Sequence, residues 1–266
     1  MMNRTTLPDF VPREVKGRDE LGYLEERFNT LMGRNKELID QEYVREIQLK
    51  GARLRALQAQ INPHFLNNTL HMIGGMALAR HAPEIYEITR AVGDLFRYAN
   101  GSEGDLVTMA DELEHTRNYL LIQQNRFVDR LTWSVDADPE LNGILIPRFT
   151  LQPIVENAFE HGLQPKSGSW EISIRIAGRS RGVLAAVRDD GVGMSREKLR
   201  YVRQMLRSPA EMSETSESHI GLRNVDARLR LHFGHRRGLR VFSEAGEGTT
   251  IILNIPAVTN KERVLG

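Results

Sequence analysis

Near residue 130 the chain changes its periodicity, and that change limits the folds open to it. Before it, apolar residues recur at helical spacing. After it, short β-type runs alternate with helical stretches and glycine-bearing turns. A single bundle or a single sandwich accommodates only one of these patterns. The expected fold class is therefore multidomain α plus α/β, and at roughly 150 residues per domain a chain of 266 holds about two.

Residues 19–60 contain no proline and three glycines, and Glu, Arg, Leu and Gln dominate, which is helix composition. Leu21, Leu24, Phe28, Leu31 and Leu38, then Val44, Ile47, Leu54 and Ile61, follow the spacing of coiled-coil seams. The six-residue step from Leu38 to Val44 sets the two runs out of phase. This predicts a parallel dimeric coiled-coil stalk with a phase break; a solvated helical hairpin is the alternative. Pro63 then removes the bond to the carbonyl of Ala59 and predicts a kink rather than an end. Beyond it Leu66, Leu70, Ile73 and Ala77 form one stripe, with His64, Asn68 and His71 on the opposite side. A turn at His81-Ala82-Pro83, a helix over 83–98 and a loop over 100–104 complete a helical hairpin, half of a four-helix bundle in a homodimer. A third helix is expected over 109–129.

The C-terminal half reads as strands over 131–135, 170–176, 183–188, 239–243 and 249–255, with helices near 149–161, 196–206 and 221–233. That alternation predicts an α/β sandwich. The polar stretch 208–218, rich in Ser and Glu, reads as a mobile loop.

Composition removes several functions. Without cysteine there is no disulfide and no thiolate-held metal. Lys+Arg 36 against Asp+Glu 35 gives a net charge of +1, so no global field draws the chain to nucleic acid. No run of ~18 apolar residues is present, and residues 1–15 lack an apolar signal core.

Three patches carry chemistry together. The first is Leu151-Gln152-Pro153-Ile154-Val155-Glu156-Asn157-Ala158-Phe159-Glu160-His161-Gly162, which alone could be an amphipathic helix with a glycine cap. The second is Asp189-Asp190-Gly191-Val192-Gly193, whose glycines let backbone approach a ligand. The third is His219-Ile220-Gly221-Leu222-Arg223-Asn224, where a helix opens after a loop and its free N–H groups suit an anion, followed by Gly246-Glu247-Gly248-Thr249.

In order and spacing these patches resemble the N, G1 and G2 boxes of Bergerat-fold ATP-binding domains. The resemblance implies ATP and Mg²⁺ as cofactors, with Asn157 as a Mg²⁺ ligand and Asp189 accepting from the adenine amino group. It further implies Gly191 and Gly193 beside the nucleotide, Gly221 and Leu222 at the junction of lid and helix near the phosphates, and Thr249 in the closing strand. Leu57-Gln58-Ala59-Gln60-Ile61-Asn62-Pro63-His64-Phe65-Leu66-Asn67-Asn68-Thr69-Leu70 resembles the phosphoacceptor motif of LytS/YesM-type sensor histidine kinases. Leu95-Phe96-Arg97-Tyr98, the run from Asp111-Glu112-Leu113 to Asn118-Tyr119-Leu120, and Gln124-Asn125-Arg126-Phe127 agree with that family, and residues 17–29 resemble the second half of a HAMP unit. The resemblance covers the chain from about Gly17 to Pro256.

It implies autophosphorylation of His64 from ATP, then transfer to an Asp of a response regulator. Asn68, one turn after His64, takes the position that orients water for dephosphorylation in many such kinases. The implied layout is a partial HAMP-like helix over 1–35, a coiled coil and phosphoacceptor hairpin over 36–106, a linker helix over 107–130, an ATP-binding domain over 131–258 and a tail over 259–266. An upstream sensor and membrane anchor are expected in the intact protein, with this part cytoplasmic. Three positions depart from the pattern: Glu160 stands where the family has a Lys, His219 where the third patch opens on a Gly, and Asp190 where an Asn is common. They sustain the alternative of a catalytically weak pseudokinase acting as a dimeric scaffold. An ATP-hydrolysing machine of the chaperone kind would need a carboxylate one turn before Asn157, where Pro153 stands.

Overall fold

The computed structural model describes residues 63–101, 104–180, 182–207, 220–234 and 238–258, with single helical residues between 23 and 45. The stalk seams, the kink at Pro63 and the 208–218 loop lie outside the described residues. The chain divides into two units, Met1–Asn62 and Pro63–Gly266, and the hairpin and the sheet both belong to the second.

Two antiparallel helices open this second unit, α1 (Pro63–Ala79) and α2 (Pro83–Asn100), joined at His81, whose φ is +58. Pro83 starts α2 where its missing N–H costs nothing. The packed face of α1 runs through Leu66, Leu70, Gly74 and Ala77, while Ile73 is exposed, so one member of the expected stripe lies off it. Gly74 takes that place because Tyr86 and Thr89 of α2 come too close for a larger side chain. His64, Asn68 and His71 are exposed, as their side of the wheel requires.

Strand β1 (Leu106–Thr108) leads into α3 (Met109–Arg126). Thr108 begins α3 with a capping box: its hydroxyl accepts from the Asp111 N–H, and the Asp111 carboxylate accepts from the Thr108 N–H, both at 3.2 Å. Strand β1 pairs antiparallel with β3 (Leu145–Pro147). Neither short strand was expected, because three residues hold no readable period.

The main sheet has five strands: β2 (Leu131–Ala137), β4 (Trp170–Arg179), β5 (Gly182–Asp189), β6 (Leu239–Glu244) and β7 (Gly248–Ile255), in the order β2-β4-β5-β7-β6. Strands β2 and β4 run parallel, and every other pair is antiparallel. Alternation decides the layers. Trp170, Ile172, Ile174 and Ile176 of β4 are buried, and Glu171 and Arg175 face outward. Against the apolar face lie α4 (Gln152–Asn157), α5 (Arg196–Arg207) and α6 (Ile220–Phe233), contributing Ile154, Val202, Leu222, Val225 and Leu229 to one core. The five strands and three helices fall within one or a few residues of the sequence reading. The exception is α4, which starts at Gln152 rather than 149, because Phe149 has φ +53 and cannot enter a right-handed helix there.

Candidate functional site

The cleft that gathers five of the predicted residues lies between the apolar sheet face and the helices, with Gly191 and Gly221 outside its lining. Asn157, Asp189, Gly193, Leu222 and Thr249 line it together, with Ile154, Val187 and Ile251 forming apolar walls and His161, Met194 and Lys198 completing the rim.

Asp189 closes β5 and is 5% exposed. Its Oδ1 accepts from the Gly191 N–H at 2.9 Å and the Thr249 N–H at 3.2 Å, so the second and third patches meet on one carboxylate oxygen. Burial pushes this carboxyl up to about 6, against the pull of the two backbone donors. The glycines around it are steric requirements. A Cβ on Gly162 would lie 2.8 Å from Asp189 Oδ1, and one on Gly191 would meet the backbone of Gly162. Gly193 has φ +66, and a Cβ there would strike the Glu244 carbonyl. Gly162 therefore does not end the helix as a cap. A wider π turn over Ala158–Leu163 carries the chain past it, a deviation common at functional sites.

Asn157 is the last residue of α4. Its Nδ2 donates to the Pro153 carbonyl at 2.7 Å, which fixes the amide and leaves Oδ1 as the atom able to take a metal. Gly221, opening α6, lies against it: a Cβ there would be 3.4 Å from Asn157 Nδ2. One amide oxygen fits Mg²⁺, which binds through few protein oxygens plus substrate phosphates. Among the described residues no cluster of three His, Asp or Glu side chains offers a fuller cage. Thr249 is buried, and its hydroxyl lies 2.9 Å from that of Ser243.

Two of the three departures have structural readings. The Glu160 side chain is 69% exposed, so solvent screens it. Asp190 accepts from Lys166 Nζ at 2.6 Å through Oδ2 and from the Glu171 N–H at 2.8 Å through Oδ1, tying the glycine turn to the start of β4. His219 lies outside the described residues.

His64 and Asn68 do not join the cleft. They sit one turn apart on α1, with Asn68 Nδ2 3.3 Å from His64 Nδ1 and 3.5 Å from Nε2. Sequence reasoning missed Lys198 and Met194 on the rim. Their signal was position, since the turn from Gly193 into α5 sets both beside the cleft.

The histidine kinase family profile matches residues 52–131, and that of histidine kinase-, DNA gyrase B-, and HSP90-like ATPases matches residues 146–259. Sensor histidine kinase YesM of Bacillus subtilis (strain 168) is 37% identical over 90% of this chain and 39% of its own length. Sensor protein kinase HptS of Staphylococcus aureus (strain USA300) is 29% identical over 91% of this chain and 45% of its own. The chain thus spans less than half the length of either relative. Among solved structures, the histidine kinase domain of the Erythrobacter litoralis EL346 blue-light activated histidine kinase aligns over 73% of this chain and 94% of that one, at 14% identity and a TM-score of 0.42; the assignment rests on the sequence matches alone. With a phosphoacceptor-type hairpin and an ATPase-type sheet matched in sequence order, the chain belongs to the sensor histidine kinases of the LytS/YesM type.

Proposed function

We propose that this chain is the kinase portion of a two-component sensor: it binds ATP in the cleft, phosphorylates His64 and passes the phosphoryl group to an Asp of a response regulator. The observation that carries this reading is the convergence of three separated sequence patches on one cleft, at Asn157, Asp189 and Thr249, in a chain whose first hairpin helix exposes His64 beside Asn68. In the proposed reaction an imidazole nitrogen of His64 attacks the γ-phosphorus, the bond to the ADP oxygen breaks, and ADP leaves. Positioning and charge neutralisation carry most of such a reaction. Asp189 accepts from the adenine amino group through the oxygen that the backbone does not use. Gly191 and Gly193 let the base lie close to backbone, while Gly221 and Leu222 open α6 toward the phosphates. Asn157 Oδ1 would hold Mg²⁺, which neutralises phosphate charge when bound. Asn68, one turn from His64, would orient the water that hydrolyses the aspartyl phosphate of the regulator.

The hairpin supports a homodimer. Phe65, Met72, Ile73, Met76, Leu78 and Ile85 are large, apolar and exposed on a two-helix unit, which a four-helix bundle would bury. A coiled-coil stalk and HAMP-like segment on the N-terminal side fit a protein whose signal arrives from an upstream sensor held at the membrane, with this portion in the cytoplasm. No described helix is long and apolar enough to cross a bilayer. Exposed Glu160 and the Asp190–Lys166 pair remove two supports of the pseudokinase reading. Calorimetric titration with Mg-ATP tests the site: wild type binds, and Asp189→Asn loses affinity by at least about 10-fold, in keeping with one charge-assisted bond. Equal affinity in the two proteins would contradict the assignment of the cleft.

A further inference from the structure

Glu112 is an acidic side chain with 0% exposure, in the first turn of α3 and outside the cleft. It collects four donors. Its Oε1 accepts from the Thr150 N–H at 2.6 Å and the Leu151 N–H at 2.8 Å. Its Oε2 accepts from the Phe149 N–H at 3.0 Å and from the Tyr98 hydroxyl. Three successive N–H groups on one carboxylate form an anion-binding nest, and Phe149 enters it at φ +53, a conformation that a bulky residue adopts only under constraint. The same turn is gripped from its other side. Arg228 of α6 donates to the Arg148 and Phe149 carbonyls, each at 2.5 Å.

The elements meeting here are those the reaction must coordinate. Tyr98 belongs to α2, the partner of the helix bearing His64. It stacks on His115 at 4.0 Å and meets the Phe149 ring edge-on at 5.2 Å. Leu151 caps α4, which ends at Asn157, about 9 Å away along a rigid helix. Arg228 lies on the helix that Gly221 opens beside Asn157. A second strand of contacts runs parallel: His115 to Gln152 Oε1, then Gln152 Nε2 to Glu156 Oε1 at 2.7 Å, one residue from Asn157.

We propose that Glu112 is a positioning residue that sets Asn157 for the nucleotide's metal, and that Tyr98 makes this setting depend on the phosphoacceptor hairpin. The proposal rests on the cleft being the nucleotide site. Movement of α2 would then reach the metal ligand through one hydroxyl, one carboxylate and the 149–151 turn. Burial pushes the Glu112 carboxyl up, and the Tyr98 hydroxyl and the three backbone donors oppose that push.

The test compares the purified chain with Glu112→Gln and Tyr98→Phe, measuring affinity for Mg-ATP and for ADP in excess chelator, thermal unfolding, and amide exchange at 149–151. Loss of a group that orients a metal ligand costs about 10-fold or more in metal-dependent affinity, so Glu112→Gln weakens Mg-ATP by that factor and metal-free ADP by less than about 3-fold. Tyr98→Phe, which keeps both ring contacts, weakens Mg-ATP by about 3-fold, leaves metal-free ADP unchanged and speeds exchange at 149–151. Equal weakening of both nucleotides with a matching fall in unfolding temperature would reduce Glu112 to a structural role and overturn the proposal. So would unchanged Mg-ATP binding in Tyr98→Phe, which would disconnect the hairpin. Wild-type protein that bound neither nucleotide would overturn the cleft assignment itself, and this role with it.

Discussion

Burial pushes the Asp189 carboxyl up to about 6, and the sign of its effect depends on what is measured. For folding, the raised value means that ionisation opposes the native state. The stabilising contribution is full below the ordinary carboxylate range near 4 and is lost as pH rises through about 6. For the proposed binding of nucleotide the sign reverses, because an adenine amino group at Asp189 would need the ionised acceptor. ATP affinity should therefore fall as pH drops through about 6, and calorimetry between pH 5 and 8 should show this in wild type and a flat profile in Asp189→Asn. Gly193→Ala places a Cβ on the Glu244 carbonyl at φ +66, so urea unfolding should show a loss of about 2 kcal/mol or more, together with lost ATP binding. Both residues were legible as members of a motif. What the sequence could not tell was that Gly191 and Thr249 share Asp189 Oδ1, because that contact spans 60 residues.

The elements were legible where their periods were long. Strands β4 and β5 alternate over ten and eight residues, and α5 carries its apolar stripe over twelve. Legibility failed where one residue's backbone overrode the pattern. Phe149 delays α4 by three residues, and Gly162, read as a possible cap, sits inside a π turn because Asp189 packs against it. Short β1 and β3 were invisible by period, yet they place Thr108 at the start of α3. Thr108→Ala should cost about 1 kcal/mol in denaturant unfolding. An unchanged unfolding midpoint would show that the capping box does not hold the start of α3. Glu112 carried no sequence signal beyond membership of the linker helix. Its partners at 149–151 lie 37 to 39 residues away, and only the fold assembles them.

At the scale of the molecule, hairpin and sheet belong to one unit in which α3 touches both, and the proposed reaction requires them to cooperate. The hairpin buries only one side of each helix, leaving Ile73 and Met76 exposed. Replacing both with Glu should convert a dimer to a monomer in sedimentation velocity, with ATP affinity retained; a wild-type monomer at micromolar concentration would contradict the bundle. The central claim is that the cleft serves His64. The most direct measurement is incubation with Mg²⁺ and ATP labelled on the γ-phosphate, comparing wild type with His64→Ala. The account predicts protein-bound label that is acid-labile and alkali-stable in wild type and absent from the variant. Undiminished label in His64→Ala, or none in a wild type that binds ATP, would contradict it.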